Sequence, residues 1–140
     1  MSSRMYNEAM RNGSRSGNRS EELAGLFAAL ADSTRLRLLN LIAGREVCVC
    51  YLVEILEQSQ PKVSRHLAYL RRAGIVAARR EGKWMHYRIV PPADRAAASI
   101  FHAALDSLRD EKRMQVERTR LDRILGRPQR LVTLEQVARA

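Results

Sequence analysis

Apolar residues recur every three or four positions along most of this chain, and the interruptions divide it into short helices. Glu21–Ala31 carries Leu23, Leu26, Phe27 and Leu30 at helical spacing, with Ser20 placed to cap it. Asp32 and Ser33 start a second helix in which Leu36, Leu39, Leu41 and Ile42 face a core, Arg35 and Arg37 face solvent, and Gly44 is the stop. Val47–Gln58 reads as a third helix with Leu52, Ile55 and Leu56 inward, although its Val-Cys-Val start suits a strand on propensity alone. Ser59–Ala73 is a fourth. Val63, Leu67 and Leu70 make its apolar stripe, Ser59 is its N-cap, and Pro61 falls in the first turn, where a missing N–H is tolerated. Gly74 ends it. Two β-prone runs then flank Glu81-Gly82-Lys83 and predict a hairpin, with Trp84, His86, Arg88 and Val90 on one face of the second strand and Met85, Tyr87 and Ile89 on the other. Trp84 is expected to pack the hairpin onto the core. Asp94–Leu125 has no internal Pro or Gly and reads as one long helix, apolar through Ala97, Ile100, Phe101, Ala104, Leu105 and Leu108, then charged and solvent-exposed from Arg109.

Two helices joined by so short a link, the second with a cationic, amide-bearing start, followed by a hairpin, predict a winged helix-turn-helix. The expected fold is mainly α with a small β-hairpin. Residues 20–125 form the domain, between a flexible basic arm (1–19) and a C-terminal tail (126–140). Met5–Met10 and Thr133–Ala140 carry weak helical patterns. The candidate DNA-contacting residues are Ser59, Gln60, Lys62, Ser64, Arg65, His66 and Tyr69 on the fourth helix, with Arg79, Arg80 and Lys83 on the wing. Amide, hydroxyl and guanidinium groups read base edges and grip phosphates. The apolar side of the last helix, with the first helix, is expected to pair two copies, placing two recognition helices about 34 Å apart on one face of DNA.

Charge strengthens this picture. The chain has 25 Lys+Arg against 15 Asp+Glu, and between Gln60 and Arg88 eight cations face one anion, Glu81. Such a concentration is the electrostatic footprint of a nucleic-acid binder. No secretory leader and no apolar run of membrane-spanning length stands in the sequence, so a cytoplasmic protein is expected. No Ser/His/Asp arrangement, Gly-rich phosphate loop or apolar carboxylate pair points to an enzyme.

The run from Ala29 to Val90, 62 of 140 residues, resembles the ArsR/SmtB winged-helix repressors. ALADSTRLRLLNLI, EVCVCYL, SQPKVSRHLAYLRRAGIV and EGKWMHYRI each match a block of that family, in its order. EVCVCYL followed by QSQPKVSRHL is most similar to its arsenical-resistance repressors. The resemblance implies a repressor that leaves its operator when a metal ion or metalloid binds, with Cys48 and Cys50 as ligands of trivalent arsenic or antimony and no organic cofactor. Three departures stand out. Val53 occupies the place of a third cysteine, Tyr51 that of the usual Asp, and Asp94, His102 and Asp106 do not reproduce the zinc-binding spacing of relatives that sense zinc on their last helix.

Thiolates are soft ligands and favour thiophilic ions. With both cysteines in the first turn of the third helix, helix dipoles and Arg45 are expected to lower a thiol pKa. Residues i and i+2 on a regular helix point about 200° apart, so joint chelation requires an irregular helix start. Without a third cysteine, water, hydroxide or a small external thiol completes the coordination. Two alternatives stay open: the same pair as a redox or persulfide sensor in a repressor, or a small CxC thiol protein or metal carrier that is incidentally basic.

Overall fold

Residues 18–126 are described by a computed structural model. They form α1 (Arg19–Leu30), α2 (Ser33–Ile42), β1 (Val47–Cys48), α3 (Val49–Leu56), α4 (Gln60–Arg72), β2 (Val76–Glu81), β3 (Trp84–Ile89), α5 (Arg95–Leu108) and α6 (Lys112–Leu125). Most of the arm, most of the tail and the helical patterns at Met5–Met10 and Thr133–Ala140 lie outside the described residues, while Arg19, assigned to the arm, opens α1.

One core joins the helices to the sheet. Leu38, Leu39, Leu52, Leu67, Leu70, Phe101 and Leu121 are fully buried in it. Asp32 caps α2 by accepting from the Arg35 amide, and Asp94 caps α5 by accepting from the Ala97 amide. Gly74 takes a positive φ at the end of α4, and Gly82 does so at the tip of the hairpin, a conformation that suits a tight two-residue turn. The hairpin strands pair from Val76↔Ile89 to Glu81↔Trp84, and β1 adds to the other side of β3, giving the order β1-β3-β2. This is the winged helix-turn-helix that the sequence predicts.

Several local expectations are overturned. Val47 and Cys48 form a strand, held by pairing with Tyr87 and His86, so the third helix begins at Val49 rather than Val47. The cap position of α1 is Asn18, not Ser20. Asp94–Leu125 is two helices, not one. The chain turns at Arg109–Asp110, and the Arg109 carbonyl accepts from Gln115 Nε2 (2.9 Å) and Arg118 Nη2 (3.1 Å). The turn lets Met114, Glu117 and Leu121 bury against α2 and α3, so the charged half keeps most of its side chains in solvent, as expected, but packs one stripe into the core. Burying that stripe outweighs the few backbone bonds an unbroken helix would gain. Phe27, assigned inward, is 52% exposed, and Trp84, assigned to the core, is 47% exposed at the wing tip.

Arg37 is also misplaced by its sequence. It is buried, its Nε donating to both oxygens of Glu117 (3.1 and 3.0 Å). Arg35 is half-buried, donating to the Ala28 and Ala29 carbonyls at 2.9 and 2.8 Å and so closing the end of α1.

Candidate nucleic-acid interface and thiol site

The α3–α4 unit is held from within. Val63, Leu67 and Leu70 turn fully inward, which leaves Gln60, Lys62, Arg65, Arg71 and Arg72 exposed and Ser64 half-exposed. Ser59 Oγ accepts from the Lys62 amide at 3.4 Å, so the helix start is closed locally while its remaining N–H groups and positive dipole end stay open to anions. His66 and Tyr69 sit on the side toward α2. His66 Nδ1 lies 3.4 Å from Arg35 Nη1 and 3.9 Å from Asp32, and the Tyr69 ring lies under the guanidiniums of Arg35 (4.1 Å) and Arg72 (5.7 Å). Burial raises the Asp32 pKa, but the Arg35 amide and the charges of His66 and Arg35 together bring it below the usual carboxylate range.

On the wing, Arg80 and Lys83 are exposed and make no ion pair among the described residues. Arg79 is engaged differently. It bonds Glu46 at 2.6 and 3.0 Å and Glu81 at 3.3 Å, tying the residue before β1 to the wing. The Arg79 hydrogen bond holds the Glu46 carboxyl below its usual range, against its partial burial. Sequence reasoning missed Glu46, because nothing local marks an acid whose partner lies 33 residues away.

The thiol pair stands where β1 becomes α3. Cys48 is the extended cap residue (φ −68°, ψ 141°) and Cys50 belongs to the first turn. The change of backbone between them undoes the opposed directions that two positions in a regular helix would have. Their sulfurs lie 3.0 Å apart, with the Cys50 S–H donating to Cys48. Both are free thiols, Cys48 buried and Cys50 half-buried. The expected lowering of a thiol pKa is not found at Cys50. Burial pushes it up to about 11, the hydrogen bond and charge of Cys48 add to this, and the amides of the helix start are too weak an opposition. Arg45, expected to help ionise the pair, is bonded to Asp122 at 2.7 Å. His102 and Asp106 gain no third ligand: among the described residues no three His, Cys, Asp or Glu side chains stand together as a metal site.

The sequence profile of the family described as "Bacterial regulatory protein, arsR family" matches residues 32–78. The arsenical resistance operon repressor of Escherichia coli is 50% identical over 80 residues, covering 56% of this chain and 68% of that protein. The chain belongs to the arsR family. An arsenic resistance transcriptional regulator of Pseudomonas putida, also similar to it, is 42% identical over 105 residues, which is 74% of this chain and 80% of that regulator. Among solved structures, HlyU from Vibrio cholerae superposes with a TM-score of 0.54 and 32% identity, over 61% of this chain and 94% of HlyU. As an arsR-family protein the chain is a DNA-binding transcriptional repressor, not an enzyme. That sets aside a small thiol enzyme or carrier. Among the described residues no helix is long and apolar enough to cross a membrane.

Proposed function

We propose that this arsR-family repressor holds its operator as a dimer in the cytoplasm and releases it when trivalent arsenic or antimony binds Cys48 and Cys50. The observation that carries this reading is the 3.0 Å approach of the two sulfurs at the β1–α3 junction. The relatives from Escherichia coli and Pseudomonas putida are arsenic-resistance regulators, which supports the same inducer class.

The raised pKa of Cys50 favours a neutral trivalent inducer over a divalent cation. A divalent ion must displace thiol protons in a site where burial already disfavours thiolate. With arsenous acid, As(OH)3, two S–H and two As–O bonds break, two As–S bonds form, and two waters leave. The third hydroxyl stays on arsenic, or exchanges for a small external thiol. No charge is created in the buried site. Cys48 is paired with wing strand β3 and Cys50 starts the helix that leads to α4, so closing a ring across both sulfurs strains the wing and the recognition helix together.

On DNA, Gln60, Lys62, Ser64 and Arg65 read the major groove, and Arg80 and Lys83 follow the backbone from the wing. Arg79 joins them by exchanging a carboxylate for a phosphate. Ser59, His66 and Tyr69 border the groove from positions already tied to the protein. The dimer forms through α1 and α5, where Phe27 is exposed and Leu23, Leu30, Ile100 and Leu105 are partly so.

A specific observation also favours a second reading, a redox switch, since sulfurs this close are placed for a disulfide. Hydrogen peroxide would accept two electrons as its O–O bond and the two S–H bonds break, the S–S bond would form, and two waters would leave. The high Cys50 pKa makes that thiol a slow nucleophile and ranks this reading second.

Fluorescence anisotropy on the protein's own promoter DNA, titrated with arsenite, tests the proposal. Wild type is expected to dissociate, Cys48→Ser/Cys50→Ser to stay bound, and Arg65→Ala to bind weakly from the start. Dissociation of the double serine variant by arsenite would refute the site. Retention of wild type would refute the inducer and direct the titration to peroxide.

A further inference from the structure

The last helix lies beyond residues 32–78, which match the family profile, yet it reaches the turn on which operator reading depends. The α3–α4 turn is Glu57-Gln58-Ser59, and Glu57 is the one non-glycine residue with positive φ among those described. A helix as short as α3 leaves carbonyls without partners in its last turn. Two of them are met from elsewhere in the fold: Arg37 Nη2 donates to the Leu56 carbonyl and Arg120 Nη1 to that of Ile55, each at 3.5 Å. Arg120 also lies 4.0 Å from the Glu57 carboxylate. Gln58 Nε2, in the turn itself, donates to Thr34 Oγ1 of α2 at 3.4 Å.

Arg37 does not hold its position alone. Glu117, on the buried stripe of α6, accepts from its Nε and Nη2 with both oxygens, across 80 residues of sequence. Two fork-shaped groups bonded this way fix orientation as well as distance. A buried ion pair stabilises a fold no better than apolar residues of the same size. Its directionality is what an apolar contact lacks. We infer that α6 is a clamp on the helix-turn-helix, and that Glu117 is the positioning residue through which it sets the angle at which α4 meets DNA.

The inference rests on α4 being the operator-reading helix. Full-length protein is compared on a duplex carrying its own promoter segment and on a scrambled duplex of the same length, by anisotropy over a range of salt. Non-specific binding is set by phosphate charge, whereas specific binding also needs α4 in register. For Glu117→Gln the preference for promoter over scrambled DNA is expected to fall about tenfold, with affinity for scrambled DNA and its salt slope unchanged. Arg120→Ala, half-exposed and outside the core, is expected to lose about threefold of that preference.

An unchanged preference in folded Glu117→Gln would overturn the clamp. So would an equal fall on both duplexes, which reports a smaller folded fraction rather than a misplaced helix. If Glu117→Gln does not fold, Arg120→Ala decides: loss of preference supports the clamp and full preference refutes it. A wild type that shows no preference at all would refute the reading of α4, whatever the variants do.

Discussion

The two ends of α3 are made from opposite materials. At its start are two sulfurs, one hydrogen bond between them, and a backbone changing from strand to helix. At its far end, charged groups converge: Arg37 with Glu117, and Arg120 near Glu57. The first end can rearrange around a new bond, because one sulfur hydrogen bond is all that joins the two thiols. The second resists movement, because displacing it strands a buried charge. A helix anchored at one end and adjustable at the other is suited to pass a distortion to α4 rather than absorb it.

Breaking the rigid end gives the largest effect. Arg37→Ala leaves Glu117 buried without its main partner and should cost about 3–5 kcal/mol, measured by urea denaturation. A cost under about 1 kcal/mol, the value of an exposed pair, would place that end among ordinary surface contacts. Ser59→Ala, just past the same end, removes one N-cap bond and should cost about 1 kcal/mol. That loss reads how far the turn depends on its own cap rather than on α6, and no loss would leave the turn wholly to the tertiary contacts.

The smallest effect belongs to the adjustable end. Cys50 titrates at about 11, above the ordinary 9.0, so its thiol form stays favoured through neutral pH. The sign follows: the stability this shift contributes is complete below pH 9 and lost as pH rises through 11. Between pH 6 and 8 the arsenite midpoint for operator release should therefore move less than about twofold, while a cadmium midpoint should tighten as pH rises. An arsenite midpoint that tracked pH as cadmium's does would show the thiols to be ionised at rest and erase the contrast between the two ends.

Much of the DNA-reading half was legible before any coordinates. Val63, Leu67 and Leu70 are spaced so that a helix must turn them to one side, and the cap at Ser59 and stop at Gly74 follow from backbone chemistry within a few residues. The wing was legible for the same reason, through alternation around Gly82. Trp84 and Phe27 were misread because an apolar residue at the right spacing is not thereby covered. Whether a face is buried depends on what the rest of the chain brings to it.

By itself the sequence determined the order of helices and hairpin, the basic outer face of α4 and the close spacing of the two cysteines. Each rests on patterns only a few residues long, or on composition. Only the tertiary structure decided that Cys48 is a strand residue, because its partner is His86 in β3. The fold also broke the last helix without a Pro or Gly, since docking Met114 and Leu121 rewards a reversal that no local signal records. And it joined Arg37 to Glu117. Each alone reads as a surface charge, and their meaning appears only once 80 residues of chain bring them together away from water.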